Sequence, residues 1–222
     1  MAKNTGLEEI IKNYKDLIPL VFHKNEILFQ EGESAKGIYC IESGNVKLSK
    51  KEAKNSERIL HLASKGEILG LHAVVNRHEY SNSAVALTKT HSCFITADDF
   101  LKLIESNNTY KLLVMKSLCS RIDTMENHLN RISEKPSDER FADTLLMLAN
   151  KYGLNRSKEL NIHLSLDELS SFTCTSKSYM KKIISDFSQR GLISFSGGII
   201  NIHDLPQLEN IVNLSPKAAL PS

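Results

Sequence analysis

The sequence is most usefully read first for what it lacks. No apolar run of signal-peptide or membrane-spanning length opens the chain, since Met1–Asp16 is polar and loosely amphipathic. A cytoplasmic protein with no membrane partner is the expectation. Net charge is nearly absent, at +2 formally, so any attraction for a polyanion has to be local. No C-x-x-C pair occurs among Cys40, Cys93, Cys119 and Cys174, and no cysteine precedes Cys40. That pattern speaks against a disulfide scaffold, an Fe–S cluster and a structural metal site, and leaves four buried thiols as the default. Cys174 alone, at a turn, is a candidate for a redox role. The H-E-x-x-H, G-x-S-x-G, Walker and G-x-G-x-x-G patterns are missing too, which removes the common routes to catalysis. The acidic pairs Glu31/Glu33 and Asp98/Asp99 fit a turn and a helix start without any catalytic role. The expectation is no enzyme and no catalytic residue.

What is present falls into three parts: residues 1–106, 107–136 and 137–222. In the first, Glu26–Phe29, Gly37–Glu42, Asn45–Ser49, Arg58–Ala63 and Ala84–Thr88 are short strand-like runs. Gly32, Gly44, Gly66 and Gly70 punctuate them at intervals suited to a compact antiparallel sandwich. A short helix over Asp98–Glu105 follows, with Phe100, Leu101 and Ile104 on one face.

Asn107–Glu134 reads as one long helix. Met115, Leu118, Ile122, Met125, Leu129 and Ile132 recur at spacings of a heptad seam. Arg121, Asp123, Glu126, Asn127 and Arg131 line the opposite face. The seam could bury itself against the sandwich, but its narrowness favours a homodimer. Pro136 ends the helix, and Ser137 is placed to cap the next, in which Phe141, Leu145, Leu146 and Leu148 are apolar.

The third part holds the sharpest local signal. Ser165 and Glu168 form an S-x-x-E capping box for a short helix ending near Thr173–Cys174. Thr175 or Ser176 caps a second helix, with Met180, Ile183, Ile184 and Phe187 at helical spacing. Lys177, Ser178, Lys181 and Lys182 lie on its other face, and Gly191 follows Arg190 as a stop. Ile193–Phe195 and Ile199–Ile202 flank Ser196-Gly197-Gly198, a hairpin signal. Helix, turn, helix and β-wing together offer one helix to the major groove of double-stranded DNA. The plain rival is an αα-hairpin on a small sheet with solvated lysines. The DNA-binding candidates are Ser165, Thr175, Ser176, Lys177, Ser178, Lys181 and Lys182.

With these residues in place, the chain resembles the CRP/FNR superfamily of bacterial transcription regulators. Phe29-Gln30-Glu31-Gly32-Glu33 with Tyr39–Leu48 is similar to the family's β-roll opening. Gly66-Glu67-Ile68-Leu69-Gly70 resembles the strand entering its ligand pocket, and Glu139–Ala149 the helix that begins its DNA-binding domain. The resemblance implies an α+β protein: an N-terminal antiparallel β-roll of jelly-roll type, a dimerisation helix and a C-terminal winged helix-turn-helix. It also implies a homodimer on a palindromic operator and contact with RNA polymerase, for which the loop Gly153–Glu159 is the analogous surface.

Two departures from the family matter. Many members carry Arg-Glu early in the recognition helix and an Arg four residues later, where this chain has Lys177, Ser178 and Lys182. The acceptor for cytosine N4 is gone, so a different half-site is expected. A turn glycine is also replaced, by Cys174. In cyclic-nucleotide-binding members a Gly-Glu pair and an Arg-Ser pair hold the ribose and the phosphate. The matching stretches are Gly70-Leu71-His72 and Ser81-Asn82-Ser83, with Leu71 in the Glu place and Asn82 in the Arg place. Met125 and Glu126 stand for the hydroxyl pair facing the purine. A buried phosphate without a cation is costly, so cyclic AMP is not expected. His72, His78 and Cys93 could offer a haem ligand, and Leu69, Leu71 and Val85 could fill the pocket as an apolar vestige. The rival function is a β-roll dimer, sensing haem or another small molecule, that acts through protein partners.

Overall fold

The computed structural model describes residues 14–52 and 56–213. The amphipathic reading of Met1–Asp16 therefore lies almost wholly outside the described residues. By contact density the chain divides between Glu126 and Asn127 into two units, described here one at a time.

The N-terminal unit carries eight strands among its described residues: β1 (Ile18–Phe22), β2 (Ile27–Phe29), β3 (Gly37–Ser43), β4 (Val46–Lys51), β5 (Glu57–Ala63), β6 (Ile68–Leu69), β7 (Ser83–Ala86) and β8 (Thr90–Thr96). They form two four-stranded antiparallel sheets, ordered β1-β8-β3-β6 and β2-β7-β4-β5. Strand β3, GIYCIES, explains why it sits inside. Its side chains alternate between faces. Ile41 joins Phe29, Val46, Leu48 and Leu69 in one apolar cluster. Ile38 and Cys40 join Leu71, Val74, Ile95 and Phe100 in a second. The second cluster lies under helices α1 (Leu71–Asn76), α2 (Ala97–Glu105) and the first turns of α3 (Asn108–Glu134), which contributes Val114. Gly37 is obligatory in β3, because a Cβ there would collide with the Ile95 carbonyl and the Phe94 ring.

The C-terminal unit comprises the end of α3, α4 (Ser137–Tyr152), α5 (Leu166–Phe172), α6 (Lys177–Gln189), the hairpin β9 (Ile193–Ser196) and β10 (Ile199–Ile202), and α7 (Leu205–Asn213). Phe141 of α4 and Phe187 of α6 are both buried, with ring centroids 5.5 Å apart. Ser196 pairs with Ile199, leaving Gly197 and Gly198 as the two-residue turn, at φ +58° and +89°. Positive φ at both central positions is the type I′ requirement that glycine meets without strain.

Several sequence expectations need correction. The strand at Ala84–Thr88 is Ser83–Ala86, with Thr88 beyond it donating no ladder bond and its hydroxyl accepting from the Asn45 N–H instead. The helix Leu71–Asn76, which holds Leu71 and His72, is an element the sequence reading did not include. Ser137 is the first helical residue of α4 with Pro136 in the cap position; its hydroxyl accepts from Arg140. Cys119 is exposed rather than buried, because it lies outside the packed face of α3. Arg131, assigned to a solvated face, is largely buried against Asp143.

Candidate functional site

The two short helices α5 and α6 are fixed at their starts by side chains next to them in sequence. Ser165 Oγ accepts from the Glu168 N–H, and the Glu168 carboxylate accepts from the Ser165 N–H at 2.9 Å, closing the box. Ser176 is the cap of α6, its hydroxyl accepting from the Tyr179 N–H. Thr175, the other cap candidate, is instead buried at 9% exposure, its hydroxyl donating to Thr173 O and accepting from Arg140. The turn between the helices passes through Cys174 at φ +51°. That is left-handed backbone, which an L-residue adopts at a cost of roughly 1–2 kcal/mol.

On α6, Met180, Ile183, Ile184 and Phe187 are buried. At 3.6 residues per turn the opposite face presents Ser178, Lys182 and Ser185, flanked by Lys181 and Tyr179, all exposed. Lys177 is exposed at the first turn and pairs with Asp167 of α5 at 2.6 Å. The charge arrangement is informative. Helices α2, α4 and α5 begin with Asp98/Asp99, Asp138/Glu139 and Asp167/Glu168, whereas α6, like α1, α3 and α7, has no acid in its first turn, and it carries Lys177 there. Lysines at the positive end of a helix dipole oppose it, and an anion placed there reverses the sign. This face suits phosphate oxygens and the acceptor edges of guanine.

Tyr179, Ser185 and Asp167 were not among the sequence candidates. A helical wheel built on the four apolar positions would have found the first two. Asp167 needs the tertiary fold.

The seam residues of α3 are differently disposed. Met115, Ile122, Met125 and Leu129 are 53–62% exposed in the single chain. Leu118 is half-buried, packing on the second apolar cluster, and Ile132 is half-buried. Large apolar groups repeated on one helix face in this way need a partner.

The sensor candidates are partly brought together. His72 pairs with Ser81 Oγ at 3.0 Å, and Asn82 Nδ2 donates to the same oxygen at 3.2 Å. Ser83 Oγ accepts from the Glu31 N–H. Gly70, at φ +81°, packs against Tyr80, whose ring stacks on Phe29 at 4.0 Å and whose hydroxyl donates to Gly37 O. Leu71 and Asn82 are buried, whereas Met125 and Glu126 are exposed. Partial desolvation and the nearby Arg121 hold the His72 imidazole below its usual pKa, although the residue as a whole stays exposed. Burial pushes the Tyr39 hydroxyl up to about 12. The haem-ligand candidates are exposed (His72, His78) or buried opposite Cys40 across β3–β8 (Cys93). Among the described residues no cluster of His, Cys, Asp and Glu suits a metal ion, and no helix is long and apolar enough to cross a membrane.

Known proteins share both units. The cyclic nucleotide-binding domain family matches residues 19–107, and the Crp-like helix-turn-helix domain family matches residues 139–211. The chain is 24% identical to the CRP-like cAMP-activated global transcriptional regulator of Mycobacterium tuberculosis, over 87% of this chain and 88% of that one. It is also 24% identical to the transcriptional activator protein anr of Pseudomonas aeruginosa, over 91% and 82%. Its fold matches that of FixK2 from Bradyrhizobium japonicum with a TM-score of 0.77 at 18% identity, covering 88% of this chain and 96% of that one.

Proposed function

We propose that this chain, which belongs to the CRP/FNR superfamily of transcription regulators, works as a homodimer that reads a two-fold symmetric DNA site through paired α6 helices. The observation that carries the reading is the exposed apolar stripe Met115, Ile122, Met125 and Leu129 on the helix joining the sensor to the DNA-binding unit. Paired along α3, two chains cover that stripe and place two α6 helices on one dyad. Residues 107–136 then serve as dimerisation helix and hinge, between a sensor over 1–106 and a winged domain over 137–222. Lys182, Ser178 and Lys181 face the groove. Lys177 engages phosphate once it leaves Asp167, and Ser165 and Ser176 hold the two helix starts.

The sensor does not take cyclic AMP in this reading. Leu71 is buried in an apolar cluster and Asn82 is buried beside Ser81, where a nucleotide would need a carboxylate and a guanidinium. The effector-pocket candidates Gly70, Leu71, His72, Ser81, Asn82, Ser83, Met125 and Glu126 are those the family resemblance supplies. Contact of Gly153–Glu159 with RNA polymerase, and a place in the cytoplasm, follow from the family alone.

Equilibrium sedimentation of the full chain tests the assembly. The wild-type protein is expected to run as a dimer and Ile122→Asp as a folded monomer. A dimeric Ile122→Asp protein removes the seam. Calorimetry with cyclic AMP is expected to show no binding, and saturable heat would overturn the sensor reading.

A further inference from the structure

The least expected polar side chain of the C-terminal unit is Arg140, on the first turn of α4. Its guanidinium meets three separate pieces of chain. One terminal nitrogen donates to Ile132 O at 3.1 Å and Lys135 O at 3.0 Å, carbonyls left over where α3 ends. The other donates to Ser137 Oγ at 3.0 Å, to Thr175 Oγ at 3.2 Å and, more loosely, to Cys174 O at 3.4 Å. Cys174 is the left-handed residue of the helix-turn-helix, and Thr175 immediately precedes Ser176, the cap of α6. The Thr175 hydroxyl passes the contact on by donating to Thr173 O.

The Arg140 Nε is buried with no partner. An orphaned buried donor costs about 1–3 kcal/mol. The position of the guanidinium is thus dictated by the acceptors at its two terminal nitrogens, at the expense of the third donor. A neighbouring anchor makes the contrast. Asp143, one turn along α4, receives Arg131 at 2.6 Å and Lys135 at 3.0 Å. That pair ties the end of α3 to α4 and touches nothing in the turn.

We propose that Arg140 is the positioning residue of the DNA-binding unit, a latch whose four terminal N–H groups reach five acceptors, one N–H being shared, and which makes the start of the recognition helix follow the end of α3. A shift of the last turn of α3 moves Ile132 O and Lys135 O, and a rigid planar fork transmits it to Cys174 and Thr175. Lysine cannot substitute, because one ammonium on a flexible stem lacks the fork that spans both sides. The inference rests on the reading of α6 as the DNA-contacting helix.

The test compares Arg140→Lys and Thr175→Val with the full-length wild-type protein on two duplexes, the selected operator and a random sequence. Thr175→Val keeps the buried volume and removes the hydroxyl that accepts from Arg140 and donates to Thr173 O, so it remains informative if Arg140→Lys does not fold. The expected result for Arg140→Lys is an operator affinity about tenfold lower, equivalent to one charged hydrogen bond or less, with random-duplex binding within about twofold and an unchanged salt slope. Thr175→Val should fall in the same direction by about threefold. Amide exchange at 173–176 should quicken in both. A merely structural role would lower both affinities together, in step with the folded fraction. An unchanged ratio of operator to random binding in both variants overturns the proposal. A wild-type protein with no preferred operator would instead remove the reading of α6 itself, so the two failures are distinct.

Discussion

Both units have side-chain caps and an apolar core, Thr96 capping α2 in the first as Ser176 caps α6 in the second, but the parts nearest their candidate sites are built differently. In the C-terminal unit polar side chains hold backbone ends: Ser165 and Glu168 at α5, Ser176 at α6, Arg140 at the end of α3 and the turn before α6. In the N-terminal unit the interior is made by rings and aliphatic groups, with Phe29 stacked on Tyr80 and Tyr39 set between Phe29 and Phe94. Caps and latches define angles, which a helix entering a groove needs. A packed apolar interior defines a shape that tolerates exchange of its lining, and in the proposed reading Leu71 and Asn82 stand where the family's ligand groups would be. In that reading the chain keeps the output geometry of the family while its input differs.

The largest expected effects lie in packing and should be similar in both units. Phe141→Ala removes a fully buried ring on Phe187, and Phe29→Ala one on Tyr80. Each is expected to cost about 3–5 kcal/mol in urea unfolding. A cost below about 1 kcal/mol for Phe29→Ala would mean the sensor interior is already loose. Next comes the groove face. Lys182→Ala should weaken operator binding about tenfold and lower the salt slope by about one, with sedimentation unchanged. An unchanged slope would move Lys182 off the phosphates.

Acid should separate the units further. Burial, with Arg131 beside it, holds His128 down to about 4, and its ring stacks on Phe172 at 4.9 Å. The folded state keeps this imidazole neutral, whereas the unfolded chain binds a proton below about 6.5. Its contribution is therefore complete above that value and is lost as pH falls toward 4. Asp143 acts in the same direction. Burial alone would raise its pKa, but hydrogen bonds from Lys135 and Arg131 outweigh it and lower the value. The stability it adds above the ordinary carboxylate range disappears as pH falls through the lowered one. His128 should cost the C-terminal unit about 1–2 kcal/mol between pH 7 and 4.5, after allowance for solvent screening, and the Asp143 loss follows only below that window. Thermal melts followed by amide exchange would locate the loss, and a sensor that loosened first would contradict the assignment.

A smaller gain is expected from Cys174→Gly, which relieves left-handed backbone and should stabilise the C-terminal unit by about 1 kcal/mol. Smallest of all, Asp167→Asn frees Lys177 from an exposed pair. Operator affinity should then rise by no more than about threefold.

Legibility in the sequence follows the same division. The caps at Ser165 and Ser176, the Gly197-Gly198 turn and the stop at Gly191 are local signals, and the elements they bound are where the residues place them. The long helix α3 is legible because its apolar positions recur at helical spacing from Met115 to Ile132. The sensor was less so. Strand β1 contains Pro19, and β8 contains His91 and the buried Ser92, so neither shows an apolar alternation, and their pairing is set by partners about 70 residues apart. Helix α1 is six residues long, too short to show a period. Arg140 carried no local sign of its role, because two of its acceptors lie 34 and 35 residues away.

The central claim is that two copies of α6 act as one symmetric reader. Selection from random duplexes with the full-length protein tests it most directly. The account expects an enriched inverted repeat, with half-site centres about one helical turn apart, 10–10.5 base pairs, whose binding weakens steeply with salt. Enrichment of a single unrepeated site, or of no sequence at all, would contradict it.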